Sequence, residues 1–266
     1  MMQPQYGPVL ADVKDGILAW QIWGRLGWRE TRLRYQRTTI GPFWATLSLG
    51  IFVGVMGFLW SQLWKMDTKT YMPFLTSGMI TWLLFSAMTI EGCGIFSGAE
   101  NLIKQLRISY TMLACSIVWR NVIVFFHNLL IYALVFLYAG MSLSWATLLV
   151  IPGLILLCLN GIWISLVLGL ICARYRDVQQ LIQSLLQIAM FLTPIFWAPE
   201  QLNGRRGIVL VHYNLLYHYV EVVRAPLMGR MPDTWTWIFV VVATIVGWSV
   251  MFILYSRFRR RVPYWL

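Results

Sequence analysis

Arg120 is the residue that most needs an explanation. It lies about ten residues into an apolar run, with Asn121 beside it and His127-Asn128 one to two turns further on. A guanidinium in hydrocarbon costs roughly 3 kcal/mol or more on insertion scales, so it requires a partner or a wet cavity. Glu91, near the end of the preceding apolar run, is the candidate partner. Such a pair reads either as a gate or pathway element, or as a structural ion pair with an inward-snorkelling arginine. Two further charge patterns could carry function. Arg25, Arg29 and Arg32 recur at i, i+4 and i+7 on one helix face, opposite Trp20, Trp23 and Gly27, with Arg34 blurring the pattern. Paired donors of this kind suit phosphate groups, whether on lipid headgroups or on a lipid-linked pyrophosphate. The alternative is a solvated basic face that anchors topology. Between two apolar runs, Glu100, Lys104 and Arg107 alternate with Leu102, Ile103 and Leu106. On a short helix Leu102 and Leu106 share one face and the three charges another, which suits docking into a partner's groove.

Chemistry beyond binding is hard to find. The chain has no Walker loop, no HExxH, no GxSxG and no paired intramembrane carboxylates. His127, His212 and His218 are too scattered for a metal site, and no metal is expected. Cys93, Cys115, Cys158 and Cys172 stand singly in or beside apolar runs and read as small core residues.

The elements that hold these residues are membrane helices. Of 266 residues 59% are hydrophobic and only 12% charged, against roughly a quarter charged in a soluble domain. Apolar runs of the length a ~30 Å hydrocarbon core demands predict six spans, at about 43–64, 71–95, 111–139, 146–172, 178–197 and 234–256. Residues 1–16 read as a loose start with no apolar signal segment, and 17–37 as an amphipathic helix in the membrane plane. Residues 198–233 are broken by Pro199, Gly204, Gly207, Pro226, Gly229 and Pro232, yet rich in Leu, Val and Tyr. They cannot span and are expected to dip into the interface. With an even number of spans both termini share a side, and that side carries fourteen basic residues against six on the other. By the positive-inside rule both termini are cytoplasmic. The same rule accounts for the net charge of +11 without nucleic acid. Fifteen Trp and twelve Tyr fit two aromatic belts, and a minority of these rings could line a sugar path.

Several short motifs, in order, resemble one family. They are Arg34-Tyr-Gln-Arg-Thr-Thr-Ile-Gly-Pro-Phe-Trp44, Asn101-Leu-Ile-Lys104, Trp119-Arg120-Asn121 with His127-Asn128, Arg174-Tyr175-Arg176-Asp177, Phe191-Leu-Thr-Pro-Ile-Phe-Trp197, Glu221-Val-Val-Arg224-Ala-Pro-Leu227 and Tyr264-Trp265-Leu266. The set is similar to the ABC-2 type permeases of polysaccharide exporters, which move lipid-linked O-antigen, capsule or teichoic acid precursors. One departure is the run Asn214-Leu215-Leu216-Tyr217-His218, where the family commonly has Asn-Pro; losing the proline should relax that segment.

The resemblance implies an all-α integral membrane subunit with six spans, an N-terminal interfacial helix and re-entrant external helices between spans five and six. It implies a bacterial inner-membrane homodimer joined to two nucleotide-binding ATPase subunits, with ATP and Mg on those subunits and no cofactor on this chain. Residues 99–109 would be the coupling element, with Glu100, Leu102, Lys104, Leu106 and Arg107 facing the ATPase. Arg25, Arg29, Arg32 and Arg34 become candidates for headgroup or substrate binding. Thr39, Gly41 and Trp44 join Glu91 and Arg120 as candidate gate or channel residues. The alternatives are an ABC-2 exporter of a drug or other lipid, and a membrane-embedded transferase acting on polyprenyl-linked sugars. For the transferase the inner loops offer only Glu100 and Asp177, far apart in sequence.

Overall fold

The computed structural model describes residues 6–36, 41, 43–106, 108–199 and 211–266. Twelve α-helices account for most of them. In chain order they are α1 (Tyr6–Leu18), α2 (Trp20–Tyr35), α3 (Phe43–Leu63), α4 (Thr68–Cys93), α5 (Ile95–Gly98), α6 (Glu100–Gln105), α7 (Tyr110–Ala139), α8 (Val150–Arg174), α9 (Val178–Leu192), α10 (Leu215–Leu227), α11 (Thr234–Phe258) and α12 (Val262–Trp265). Short 3₁₀ turns, Trp145–Leu149 and Arg259–Arg261, lead into α8 and α12.

Five of these are long and apolar enough to cross a membrane: α3, α4, α7, α8 with its leading turn, and α11 with its tail. Their limits lie close to the expected spans. The expected fifth span, 178–197, is shorter than foreseen. Helix α9 has 15 residues, about 22 Å at 1.5 Å per residue, which is less than the hydrocarbon core. It stops because Pro194 disfavours helix at the residue before it, and Thr193 is extended (φ −85°, ψ 136°).

Helix α4 is the centre of the bundle, buried on nearly every side, while α3 and α11 bare most of their surface. The ends are capped locally. Asp67 accepts from Lys69 N at 3.1 Å to open α4, Ser109 accepts from Met112 N at 3.3 Å to open α7, and Gly140 closes α7 at φ 66°.

Residues 6–16 are helical where a loose segment was expected. Helix α1 begins by Tyr6, and a break at Ala19 (ψ 34°) separates it from α2. Both helices lie on α7 through close approaches at glycine. A Cβ on Gly16 would stand 2.6 Å from Thr111 Cβ, and one on Gly27 2.9 Å from the Ser116 carbonyl oxygen. The buried Asp12 carboxylate fixes α1. It accepts from Tyr110 N and Thr111 N (both 3.2 Å), from Thr111 Oγ1 (2.8 Å), from Tyr255 OH (3.1 Å) and from Arg259 Nη2 (2.7 Å). One side chain thus caps α7 and holds the end of α11, so the N- and C-terminal segments meet at one end of the bundle, beside α6.

At the other end, α10 lies among α4, α8 and α11 without spanning. Tyr219 OH donates to Asn160 Oδ1 at 2.8 Å, about 15 Å along α8 from its first residue. A helix end at that depth survives because protein covers it and its polar groups are paired. His218 bonds Thr236 Oγ1 (3.0 Å) and the His212 carbonyl (2.9 Å). Leu215 stands at the first helical position, where proline is favoured. Asn214 caps α10 by accepting from Leu216 N (3.0 Å) and Tyr217 N (3.3 Å).

Candidate functional site

Arg120 finds its partners where α2, α4 and α7 converge. Its Nη2 donates to Glu91 Oε2 at 2.7 Å and its Nε to the same oxygen at 3.2 Å. On its other side Nη1 pairs with Glu30 of α2. Asn121 Nδ2 also donates to Glu91 Oε2, at 2.7 Å, and Arg34 Nη2 reaches Glu91 Oε1 at 2.8 Å. Two guanidiniums and two carboxylates make a charge-balanced chain from the exposed α2 to the shielded α7. Pairing of this kind offsets the desolvation that an isolated Arg120 would suffer. The expected Arg120–Glu91 pair is present. Glu30 and Arg34 were not foreseen in it, because their distance from Glu91 in sequence hides a tertiary contact.

Two clefts adjoin this cluster. An apolar one of about 410 Å³ runs between α3, α4 and α7, lined by Leu49, Phe52, Met79, Leu83 and Phe125 among others, with Arg34, Glu91 and Asn121 at its polar part. A smaller polar one, about 240 Å³, touches Glu30, Glu91, Ser116, Arg120, the Gly94 break before α5 and Gly98 at its end. Ser116 Oγ is the one buried side-chain polar atom with no partner among the described residues.

The basic face of α2 divides. Arg29 and Arg32 line a cleft of about 500 Å³ with Gln36, Gly41 and His127, whereas Arg25 lies outside it on the exposed surface. Trp44 is exposed near the start of α3. Thr39 and Arg107 lie outside the described residues.

The predicted coupling segment is helical, but only from Glu100 to Gln105. Leu106 is extended (φ −127°, ψ 145°) and 56% exposed, so it does not share a helix face with Leu102. The buried apolar residue is Ile103, with Leu102 partly buried. Lys104 Nζ donates to Glu100 Oε1 at 2.6 Å. That bond, then the Lys104 charge and the field of Arg176, hold the Glu100 carboxyl below its ordinary range. Arg176 therefore stands on the same end of the bundle as α6.

One functional-looking residue was mislocated by the sequence. Arg224 reads as a charge in an external loop, yet its side chain is 1% exposed. Its Nε donates to Glu221 Oε2 at 2.6 Å, its Nη1 reaches the Pro194 carbonyl, and its guanidinium lies 4.3 Å from the Phe74 ring centre. It fastens α10 to α4 and to the turn that ends α9.

Residues 22–228 match the family model described as ABC-2 type transporter. The chain belongs to that family. This ABC-2 type transporter is similar to proteins called O-antigen export system permease protein RfbA. In Myxococcus xanthus the identity is 24% over 170 residues, 64% of this chain and 65% of that protein, so the match spans just under two thirds of that relative's length. Two Klebsiella pneumoniae proteins of the same name are 20% identical over 240 residues and 21% over 241, each covering 86% of this chain and 90% of theirs. The matched region of the ABC-2 transporter contains the whole Glu30–Arg120–Glu91–Arg34 cluster, the α6 segment and α10.

Proposed function

We propose that this chain is the transmembrane subunit of an ATP-driven exporter that moves a lipid-linked polysaccharide, of the O-antigen or capsule kind, across the bacterial inner membrane. The observation that carries the reading is family membership joined to relatives named as O-antigen export permeases. In this reading two copies of the chain assemble with two ATPase subunits that bind ATP and Mg. The bundle end that gathers α1, α2, α6 and α12 faces the cytoplasm, in keeping with the fourteen-to-six distribution of basic residues. Helix α9 with the turn after Pro194 is the sixth crossing, shortened where α10 enters from outside.

The chemistry assigned to each part follows. Arg29 and Arg32, at the rim of an open cleft, meet the phosphate groups of the lipid anchor, since a planar fork donates in pairs to phosphate oxygens. The apolar cleft between α3, α4 and α7 offers surface to the hydrocarbon part. Arg120 links the interfacial helix to α4, which leads through α5 into the coupling helix α6. Ile103 anchors that helix to the bundle and the Glu100–Lys104 pair sets its register against the ATPase. A displacement at α6 therefore bears on the same charged cluster that α2 touches. An exporter of another amphiphile is the second reading, favoured by the same apolar cleft, which selects for hydrocarbon rather than sugar.

Deletion of the gene with later complementation is the test. Lipid-linked glycan should accumulate in the cytoplasmic leaflet of the deletion strain and return to the surface on complementation. Unchanged surface glycan in a strain without a second exporter would contradict the proposal. Loss of a different exported lipid instead would favour the second reading.

A further inference from the structure

We infer that the groove between the basic ends of α8 and α11 is a binding site for one anionic phospholipid, with its phosphate on Arg174 and a hydrocarbon tail between the two helices.

The groove is built by helical spacing. Leu170 and Arg174 stand one turn apart on α8 with Ile171 beside them, Leu254 and Phe258 stand one turn apart on α11, and Trp265 of α12 and Tyr175 complete the lining of a cavity of about 260 Å³. All of the lining except the Arg174 head is apolar or aromatic. Arg174 sits at the last residue of α8, its guanidinium carbon 5.2 Å from the Tyr175 ring centre and 5.7 Å from that of Trp265. The Trp265 ring in turn lies 6.0 Å from that of Phe258. Two aromatic faces hold the cation in position without neutralising it.

Among the described residues Arg174 forms no ion pair. Asp177, three positions on, is not within salt-bridge distance of it. Arg120, Arg224 and Arg259 are each paired with a carboxylate; Arg174 is instead held open to a charge from outside the chain. The Arg261 guanidinium carbon lies 5.7 Å from the ring centre of Phe258, which lines the groove, so a second positive charge stands near its rim. A basic residue at a helix end also complements the helix dipole, but that role needs neither the apolar groove nor the aromatic clamp.

The groove's walls and its single cation select the occupant. Its walls belong to two membrane-crossing helices, so what enters it comes from the bilayer. The cavity of about 260 Å³ is lined by aliphatic and aromatic side chains apart from the Arg174 head, so it offers part of a hydrocarbon chain an apolar surface and a phosphate one cation. Basic pockets between transmembrane helices at the interface are suited to anionic headgroups.

The test uses the full-length chain purified with its ATPase partner and measures lipid retention by native mass spectrometry. Phosphatidylglycerol is compared with phosphatidylcholine of the same chains, and with inorganic phosphate, which has no tail. Phosphatidylglycerol should be retained in preference to phosphatidylcholine, and inorganic phosphate should neither bind nor displace it. Arg174→Gln should weaken phosphatidylglycerol retention about fivefold, the equivalent of one interfacial charge, and phosphatidylcholine less, since choline offsets the charge of its phosphate. Ile171→Phe, which fills the groove and keeps the charge, should lower retention of both. Arg174→Lys should restore most of the preference, and Lys69→Gln at the opposite end should have no effect. Equal retention of the two lipids by the unaltered protein would overturn the inference, and that comparison needs no variant. So would unchanged retention in Arg174→Gln. Loss of ATPase association in that variant with lipid retention intact would assign the patch to the protein partner instead.

Discussion

Asp12 and Arg259 stand 247 positions apart in the chain and 2.7 Å apart in the fold. The Asp12 carboxylate also caps α7 and receives the Tyr255 hydroxyl, so one acid ties α1 to the start of α7 and to the end of α11. Asp12→Ala would take the carboxylate away from Arg259 and remove the acceptor that the buried Thr111 and Tyr255 hydroxyls use. Breaking a buried pair from one side costs about 3–5 kcal/mol. The expected outcome is a clear fall in unfolding temperature in detergent, together with protease sensitivity at residues 1–36. Asp12→Asn keeps the shape and should lose less. An unchanged unfolding temperature in Asp12→Ala would show that the joint is not a stabilising one.

Arg120 bridges two carboxylates that belong to different helices. Lysine cannot reproduce that, since its ammonium is a point charge without a planar fork. Arg120→Lys should insert normally but lower export and loosen α2 from α7, read by cross-linking between cysteines at Trp23 and Trp119, whose rings meet at 6.1 Å. Arg120→Leu strips Glu30 of its partner and leaves Glu91 with Arg34 as its one cation, and should be worse than the triple change that also neutralises both acids. If the single and triple variants behave alike, the cluster is not coupled.

The basic face of α2 should act unevenly. Arg29 and Arg32 line a cleft and Arg25 does not. Arg29→Lys with Arg32→Lys preserves charge and topology but removes the forked donors, and is expected to reduce export several-fold. Arg25→Lys should be silent. Equal sensitivity at all three positions would favour general anchoring to the membrane surface.

The coupling helix invites a charge reversal. Exchanging Glu100 and Lys104 keeps their own pair but inverts the pattern offered to a partner, so ATPase association should weaken while the chain still inserts. Ile103→Asp should do the same by unseating α6. The pair itself should be insensitive to pH across the physiological range. The Glu100 carboxyl lies below its ordinary value of 4.5, chiefly through its bond to Lys104. A depressed acid contributes above its unfolded value and is lost only as pH falls through the lower folded one. Between about pH 5 and pH 8 salt, not acidity, should therefore modulate association. A steep pH dependence in that range would point to another group.

The long apolar runs were legible because hydrocarbon imposes length and composition together, and α3, α4, α7, α8 and α11 fall close to their expected limits. The Arg120–Glu91 pair was legible because the cost of a lone guanidinium demands a nearby acid. Glu30 was not, since an acid on an amphipathic helix looks solvated until the tertiary packing brings it to Arg120. Asp12 was hidden in the same way, in a stretch whose Pro and Gly content reads as loose. Arg224 was misplaced because α10 lies in a proline-broken segment, where a buried arginine has no periodic signal. Leu106 failed for a local reason: the helix ends one residue before it.

Carriage of a lipid-linked glycan across a bilayer by this chain and the ATPase proposed for it is measured as transport by the purified complex in sealed vesicles, with the lipid-linked glycan in the ATPase-facing leaflet and a lectin reporting its arrival on the other side. ATP should drive lectin-accessible glycan to accumulate with wild-type protein, and Arg120→Lys should slow it. Vesicles that hydrolyse ATP in the presence of the glycan yet move none of it, while moving a simple lipid, would contradict the account.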